Sequence, residues 1–389
     1  MTRQEKKILL VGNYSLDGSE SMNRYVALLQ RALSGRGYAV RVVTPPRIFG
    51  RLGRQGSGLG KWLGYVDKFL FFPWQLLARA RTADIVHICD QGSASYTRLF
   101  RNRPTVLTCH DMFAIRAGLE TIPEHSLKLP GKVFQAANRR GLELADSVIC
   151  ISDHTRDEVI KFTKCDPEAV RAAYLPLNYP YSPAPSEEIE RTVRQAGLDP
   201  SERYFFHVGG NFPYKNRPGV VRIFSELRKL EEYRSARLIM AGARWSPELR
   251  QVVVSLGLDS VVVEVETPSN EDLRALYSGA LALIFPSLYE GFGWPLVEAQ
   301  ACGCPVATSN RPPMSDLVRE SGILFDPLDH AGAAARIAEG LADRAGLRRR
   351  GMANVARFSP ETMLSEVQAA YTQAETRKRA RTSGSGNRG

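Results

Sequence analysis

The most informative stretch of this chain is Phe285-Pro-Ser-Leu-Tyr-Glu-Gly-Phe-Gly-Trp-Pro-Leu-Val-Glu-Ala-Gln-Ala-Cys-Gly-Cys-Pro-Val306, which has the pattern of a strand, a loop and a helix. The loop glycines let the backbone approach a ligand closely, and Pro295 suits the first turn of a helix. Backbone N–H groups at a helix start attract anions. Glu290 in the loop and Glu298 in the helix are therefore predicted to flank a polar ligand site.

Short apolar strands alternate with helical patterns on both sides of this stretch. Strands are predicted at 7–12, 38–43, 84–89, 105–109 and 147–151, and again at 204–208, 237–241, 261–265, 281–285 and 305–308. Continuously apolar strands separated by helices are typical of parallel sheets covered on both faces. The sequence therefore predicts an α/β fold of two doubly wound domains facing each other across a cleft, with ligands at the carboxyl ends of the strands.

The predicted domain boundary is a segment between 176 and 200 that is rich in proline and acidic residues. The tail is predicted to be disordered because Arg377-Lys-Arg-Ala-Arg381 and the Ser-Gly repeat after it contain no large apolar residue. The expected order is an N-terminal domain at 1–178, a linker at 179–200, a C-terminal domain at 201–358, a helix at 359–376 and a disordered basic tail at 377–389.

The composition excludes a disordered or fibrous protein, since 43% of the 389 residues are apolar and 24% are charged. The net charge of +11 is uneven, because residues 1–180 alone carry +10. No nucleic-acid motif accompanies this charge, so an anionic membrane surface or a phosphorylated substrate is favoured as partner. No apolar stretch suits a signal peptide or a transmembrane helix, so a cytoplasmic protein is expected, with peripheral attachment to the membrane left open.

The six cysteines are predicted to be buried, reduced thiols. Cys302-Gly-Cys304 lacks a second ligand pair at metal-site spacing, so no structural zinc is expected.

Four strings together resemble glycosyltransferase family 4, whose members are retaining enzymes with the GT-B fold of two Rossmann-like domains. The 285–306 stretch is similar to the family's E-x7-E signature, and His207-Val-Gly-Gly-Asn-Phe-Pro-Tyr-Lys-Asn216 to the first strand and loop of its second domain. Leu107-Thr-Cys-His-Asp111 and Val148-Ile-Cys-Ile-Ser-Asp153 are similar to strand ends of its first domain. The resemblance spans most of residues 5–375. It implies transfer of a hexose from a nucleotide diphosphate sugar to a carbohydrate or lipid-linked acceptor.

The resemblance also implies roles for individual side chains. Lys215 matches the lysine that neutralises the donor's diphosphate. Glu290 matches the carboxylate that holds the donor sugar, and Glu298 the one on the nucleotide ribose. His110 matches the histidine beside the transferred sugar. The implied catalytic residues are Lys215, Glu290 and His110, and the implied donor-binding residues are Gly209, Gly210, Arg217, Gly291, Phe292, Gly293, Trp294, Pro295, Leu296 and Glu298.

A departing nucleoside diphosphate accumulates negative charge, so fixed positive charge must stand at the leaving group. The chain contains no Asp-x-Asp, which disfavours the metal-clamped GT-A alternative and agrees with Lys215 in place of a cation. Neither a metal nor a cofactor is expected apart from the donor substrate. The favoured setting is bacterial surface polysaccharide assembly, with mannose slightly preferred because Lys215-Asn216 is similar to mannosyltransferase relatives.

Two positions depart from the family pattern. Gly210 stands where many relatives have an arginine, and Arg217 is a candidate substitute. The first-domain loop reads Leu16-Asp-Gly-Ser-Glu-Ser21 instead of containing a Gly-Gly pair, which leaves the acceptor contacts open. A sugar-nucleotide epimerase of the same fold and a non-catalytic donor-binding relative remain as alternatives.

The segment from Gly53 to Trp74 begins basic and becomes strongly apolar. Positions 63, 66, 70, 74 and 77 form one predicted helical stripe, with Phe71, Phe72 and Leu76 off it. A buried helix is favoured, and an interfacial helix that contacts a membrane is the alternative.

Overall fold

The computed structural model describes residues 5–15, 20–49, 63–122 and 126–385. The chain forms two compact units. The first comprises the chain up to Asn178 together with the segment from Pro360 onward, and the second runs from Tyr179 to Ser359. The chain therefore leaves the first unit once and returns to it with its last helix.

The first unit contains a six-stranded parallel sheet. The strands are β1 (Lys7–Val11), β2 (Ala39–Val43), β3 (Ile85–Ile88), β4 (Thr105–Cys109), β5 (Ser147–Cys150) and β6 (Val170–Ala172). They lie in the order β2-β1-β3-β4-β5-β6 and are parallel throughout. Every residue of β3, β4 and β5 is buried, as expected for strands covered on both faces. The direction of strand succession reverses at β1 and β3, where such sheets bind ligands.

The second unit repeats this arrangement. Its strands are β7 (Tyr204–Gly209), β8 (Arg237–Gly242), β9 (Val262–Glu266), β10 (Leu283–Phe285), β11 (Val306–Ser309) and β12 (Ile323–Phe325). They lie parallel in the order β12-β11-β10-β7-β8-β9. The reversal therefore falls between β7 and β10, the two strands that precede the motifs of the sequence. The predicted α/β class with two doubly wound sheets is confirmed.

Helices lie between successive strands and supply the apolar layers on the sheets, and the last three helices follow β12. In chain order they are α1 (Glu20–Ser34), α2 (Phe72–Ala80), α3 (Phe113–Gly118), α4 (Leu129–Leu144), α5 (Asp153–Phe162), α6 (Ser186–Gln195), α7 (Arg217–Leu227), α8 (Pro247–Ser255), α9 (Asn270–Gly279), α10 (Trp294–Ala301), α11 (Met314–Val318), α12 (His330–Leu341), α13 (Arg344–Asn354) and α14 (Pro360–Ser385).

The prediction that one helical stripe of the segment ending in α2 faces the core is wrong. Phe72 and Leu76 are buried, whereas Leu70 and Trp74 on the predicted stripe are exposed. A π-helical turn at Asp67–Phe71 precedes α2 and shifts the angular position of every following side chain. The basic start of the predicted segment, residues 53–62, lies outside the described residues.

The predicted disorder of the basic tail is wrong for residues 377–385, which continue α14 without a break. Lys378 Nζ and Arg381 Nη1 each lie 2.9 Å from the carboxylate of Asp146, which is fully buried beside β5. Arg377 pairs with Asp166 at 2.8 Å. Ion pairs with the first unit, rather than apolar side chains, hold this end of the helix. Composition alone could not predict such partners.

The predicted linker at 179–200 is not an irregular connection. It contains α6, which packs against α9 and forms an ion pair between Glu188 and Arg274. The segment is part of the second unit, and the last helix, predicted to follow the second domain, belongs to the first.

The six cysteines have free thiols, and five of them are buried. The prediction of reduced, buried thiols is confirmed for those five, whereas Cys165 is partly exposed.

A buried network of polar side chains joins α14 to the first sheet. His87 Nδ1 lies 2.9 Å from the Tyr371 hydroxyl, and His87 Nε2 lies 2.8 Å from the Thr108 hydroxyl. The Tyr25 hydroxyl completes the chain at 2.9 Å from Thr108. Burial lowers the pKa of His87 to about 3, with the nearby His110 adding to the effect. His87 is therefore a neutral structural group.

The first unit should lose stability as the pH falls, because unfolding allows His87 to take up a proton. The unfolded imidazole has a pKa of about 6.5. Stability present above that pH is lost towards pH 3, and roughly 2 kcal/mol should be gone at pH 5. Urea unfolding at pH 8 and pH 5 should show that His87→Gln loses less stability than the wild-type chain. An identical pH dependence in both proteins would contradict this assignment.

Candidate active site

The two motif loops of the second unit meet where β7 and β10 lie side by side. The loop after β7 carries Lys215, and the loop after β10 carries Glu290. The backbone N–H of Leu288 donates to the Tyr214 carbonyl at 2.7 Å and joins the loops directly. The reversal point of the sheet therefore brings together two side chains that are 75 positions apart.

Lys215 and Glu290 form a close ion pair. Lys215 Nζ lies 2.8 Å from each carboxylate oxygen of Glu290. The lysine side chain is 20% exposed and the glutamate side chain 8% exposed, so one charge lies at the edge of solvent and the other beneath it. The ammonium group also lies 5.8 Å from the ring centre of Tyr214 and 5.7 Å from that of Phe285. The pair is thus a preorganised charged centre in a partly apolar setting.

Asn216 fixes the position of its neighbour Lys215. Its backbone is left-handed, with φ of 49° and ψ of 43°, and its Oδ1 accepts from the Gly219 N–H at the start of α7. Its Nδ2 donates to the carbonyls of Pro286 and Pro327, each at 3.2 Å. The asparagine therefore ties α7 to the loops after β10 and β12, which explains a Lys-Asn pair at this position.

The glycine-rich loop after β10 turns into α10 at Gly293. This residue has φ of 116°, a conformation that favours glycine, and α10 begins at Trp294 with Pro295 in its first turn. The side chains of Phe292 and Leu296 are buried, and Phe292 packs edge-on against Phe358. Their side chains anchor the loop in the core, so only their backbone groups could serve a ligand.

Glu298 lies one turn into α10 and is buried. Its Oε2 accepts from the Tyr277 hydroxyl at 3.0 Å. Burial raises the pKa of Tyr277, and the negative charge of Glu298 raises it further. Tyr277 therefore stays a hydrogen-bond donor that orients the carboxylate. It had no sequence signal, because a tyrosine on an amphipathic helix is expected in the core.

Arg217 is buried behind the loop after β7. Its Nη1 donates to Asn211 Oδ1 at 2.5 Å and to the Ala243 carbonyl at 2.9 Å. Its Nε and Nη2 have no partner among the described residues. Burial lowers the pKa of Arg217, and Glu264 opposes that shift. Gly210 leaves ordinary van der Waals space for a Cβ, so lack of room does not explain the absent arginine there.

His207 lies within β7, two residues before its end, and its imidazole is fully buried. Its Nδ1–H donates to the Ile284 carbonyl at 2.9 Å, and its Nε2 has no partner within the described part of the chain. Burial lowers the pKa of His207 to about 3. The hydrogen bond to Ile284 opposes this shift, and the positive charges of Arg217 and Lys215 add to it. A hypothetical Cβ at Gly209 would approach His207 Nε2 to 3.1 Å. The glycine that ends β7 therefore leaves room for this imidazole.

His110 follows β4 in the first unit. Its Nε2–H donates to the Cys89 carbonyl at 2.8 Å, its backbone N–H donates to Gln91 Oε1, and its ring packs edge-on against Tyr25. Burial lowers its pKa, and the charge of Asp90 opposes the shift. The imidazole is therefore held in one orientation at the carboxyl edge of the first sheet.

These features define a class of protein. A GT-B glycosyltransferase has two doubly wound sheets, and the lysine–glutamate pair at one reversal point agrees with this class. A family model described as Glycosyltransferase Family 4 matches residues 22–178, and one described as Glycosyl transferases group 1 matches residues 188–357. The chain belongs to glycosyltransferase family 4, and it is a glycosyltransferase.

Curated relatives and solved structures agree with this membership. O-antigen chain mannosyltransferase B of Escherichia coli is 28% identical over 68% of this chain and 69% of its own length. D-inositol 3-phosphate glycosyltransferase of Mycobacterium marinum is 28% identical over 75% of this chain and 64% of its own. The chain thus spans about two thirds of these relatives. Sucrose-phosphate synthase of Thermosynechococcus elongatus shares the fold, with a TM-score of 0.75 at 21% identity over 96% of this chain and all of that one.

Proposed function

We propose that the chain transfers a hexose, with retention, from a nucleotide diphosphate sugar to a carbohydrate or lipid-linked acceptor in surface polysaccharide assembly. The observation that carries the proposal is the Lys215–Glu290 pair at the reversal point of the second sheet, with Glu298 one turn into α10. The mannosyltransferase named among the relatives supports mannose as the transferred sugar.

In the proposed reaction, the bond between the anomeric carbon and the donor phosphate breaks, and its electron pair leaves with the nucleoside diphosphate. The acceptor oxygen bonds to the anomeric carbon on the same face, and its proton passes to the departing phosphate. Lys215 stabilises the charge of the leaving group, because a fixed ammonium group needs no reorganisation during the step. Glu290 holds the donor sugar's hydroxyls, and Glu298, oriented by Tyr277, holds the nucleotide ribose.

The decisive experiment incubates the protein with a panel of nucleotide sugars and with methyl hexosides as acceptors, and follows nucleotide diphosphate release with and without excess EDTA. A transferase should release the diphosphate from one donor and keep its rate in EDTA, because Lys215 takes the place of a metal ion. An epimerase would convert the donor sugar without release, and a non-catalytic relative would bind a donor unchanged. Activity that is lost in EDTA and restored by magnesium would overturn the metal-independent mechanism.

We also propose that the first unit contacts an anionic membrane surface through an exposed apolar strip, here named the Trp74 face. It consists of Leu70, Phe71, Trp74 and Leu77, and Trp74 is 75% exposed. Arg79 and Arg81 follow at the end of the same helical segment. An apolar strip beside basic residues is typical of helices that lie in a membrane interface. Among the described helices, none is long and apolar enough to cross a bilayer.

The membrane proposal predicts that the protein floats with phosphatidylglycerol vesicles at low salt and less so at high salt. Phe71→Ser combined with Trp74→Ser should abolish flotation at little structural cost, since both side chains are exposed. Neutralising Arg79 and Arg81 by substitution with glutamine should weaken it by about 1 kcal/mol per residue. The matched control is Val254→Ser, an exposed apolar residue on α8 of the other unit. Failure of the wild-type chain to float would favour a water-soluble acceptor.

A further inference from the structure

Phe212 is an exposed aromatic residue in the loop of the second unit that carries Lys215. It is 61% exposed. Single exposed apolar side chains are ordinary on protein surfaces, so exposure alone indicates no function. The stacking of this ring, the hydrogen bonds that hold its loop and the charged groups beside it distinguish Phe212 from such residues.

The ring of Phe212 stacks on the ring of Tyr214. Their centres lie 5.5 Å apart and their planes are inclined by 9°. Tyr214 in turn meets Tyr289 edge-on, with ring centres 6.4 Å apart. A Cβ built on Gly210 would lie 3.6 Å from the Phe212 ring, so this ring packs beside the first residue after β7. Phe212 and Tyr214 together form a flat aromatic surface, here named the Phe212 platform.

Hydrogen bonds on both sides of Phe212 hold the loop in place. On the N-terminal side, Asn211 Nδ2 donates to the Arg244 carbonyl at 2.7 Å, and Asn211 Oδ1 accepts from Arg217 Nη1 at 2.5 Å. On the C-terminal side, the Lys215 backbone N–H donates to the Phe212 carbonyl at 2.9 Å and closes a short 3₁₀ turn. A ring on so constrained a loop loses little conformational freedom when a ligand binds.

The Phe212 platform lies beside the charged centre of the second unit. The Lys215 ammonium group is 5.8 Å from the ring centre of Tyr214, and the Tyr214 carbonyl accepts from the backbone N–H of Leu288 in the loop that carries Glu290. In the proposed reaction, the proton of the acceptor passes to the phosphate held by Lys215. The acceptor must therefore contact the protein close to this lysine.

The order of the strands separates Phe212 from the groups assigned to the donor. Glu290 and Glu298 both follow β10, which lies on one side of β7. Asn211, the residue before Phe212, is tied to the loop after β8, which lies on the other side of β7. Phe212 therefore lies at the end of its loop that is farther from the donor groups, where a second substrate can approach Lys215.

The chemistry of the platform favours an uncharged sugar ring. The apolar face of a pyranose packs on an aromatic ring while its hydroxyls remain in water at the edge. The cations around the platform already have partners, since Lys215 pairs with Glu290 at 2.8 Å and Arg244 with Glu266 at 3.4 Å. Balanced charges leave no excess positive charge to attract an anionic acceptor.

We propose that the Phe212 platform binds the sugar ring of the acceptor, an uncharged pyranose whose apolar face packs on Phe212. The inference rests on the proposed function and adds an acceptor contact in the unit to which the donor is assigned. Phe212 thereby selects acceptors that present an unsubstituted apolar ring face.

Binding is measured by saturation-transfer NMR titration of the full chain with methyl α-D-mannopyranoside, methyl α-D-glucopyranoside and methyl α-D-galactopyranoside. At least one hexoside should bind at millimolar concentration. Phe212→Ala should weaken its binding about tenfold because the stacking surface is lost, and Phe212→Tyr should bind as the wild type does because the ring is kept. Val254→Ala, which shortens another exposed apolar side chain of the second unit, is the control and should not change binding. Thermal melts check that every variant folds.

Steady-state release of nucleotide diphosphate, with the bound hexoside as acceptor, gives a second readout. Phe212→Ala should raise the KM for the hexoside about tenfold, whereas the KM for the nucleotide sugar should stay within about twofold of the wild-type value. This split separates an acceptor contact from a general disturbance of the loop, which would also change the KM for the donor.

Three outcomes would overturn the assignment. The first is that no methyl hexoside binds the wild type, and the second is that Phe212→Ala binds hexosides as tightly as the wild type. The third is that Phe212→Ala raises only the KM for the nucleotide sugar, which would place the ring against the donor. Nucleotide diphosphate release with unchanged hexoside KM in Phe212→Ala would reject the platform alone. Absence of release with every donor would reject the proposed function itself.

Discussion

Replacing Lys215 by alanine should lower the kcat of hexose transfer about 100- to 1,000-fold, the loss expected when one preorganised group at a developing negative charge is removed. The change has two physical consequences. The leaving diphosphate loses its cation, and the carboxylate of Glu290, 8% exposed, loses the ammonium group 2.8 Å away. Initial rates of nucleotide diphosphate release at saturating donor measure the effect.

Lys229→Ala is the matched control for this experiment. Lys229 also pairs with a glutamate of the second unit, Glu226, at 2.7 Å, but on the exposed end of α7. It should leave kcat unchanged. Combining Lys215→Ala with Glu290→Gln should cost little more than the worse single variant, because the two residues act as one unit. Near-normal turnover of Lys215→Ala would contradict its assignment to the diphosphate.

The second large effect concerns the ion pairs at the end of α14. Lys378→Ala combined with Arg381→Ala should lower the free energy of unfolding by about 3 kcal/mol, since the buried carboxylate of Asp146 loses both cations. Most of the loss should come from Lys378, because Arg381 is half exposed and its charge is screened by water. Urea unfolding followed by circular dichroism measures the change.

Arg377→Ala is the control for this pair of substitutions, because Arg377 contacts the exposed Asp166 and should leave stability almost unchanged. Adding Asp146→Asn to the double variant should recover part of the loss, since no uncompensated charge then remains buried. If the control and the double variant lowered the free energy of unfolding equally, the contacts of Asp146 would contribute no more to stability than an exposed ion pair.

Local patterns in the chain predicted most of the fold. Long apolar strands such as Thr105–Cys109 and Ser147–Cys150 were located within a residue of their observed ends, because an apolar run next to a turn signal is a local property. The three-residue strands Val170–Ala172 and Ile323–Phe325 were missed. Neither segment lies in an apolar run as long as 281–285, which was predicted as a strand although its observed strand, Leu283–Phe285, is equally short. Their pairing with a neighbouring strand defines them.

The apolar segment around Trp74 shows where periodicity failed. A regular helix would have turned positions 70, 74 and 77 towards the core, but the π-helical turn at Asp67–Phe71 rotates the following residues and buries Phe72 and Leu76 instead. A single extra residue in one turn has no signal in composition.

The two doubly wound sheets, the family, the loops that carry Lys215 and Glu290 and the helix that carries Glu298 could all be predicted from residues close together in the chain. Which charges meet is set by the folded chain. Glu290 pairs with a lysine 75 positions away, and Asp146 with an arginine 235 positions away. An ion pair depends on separation in space and on exclusion of water, and neither is set by the local order of residues.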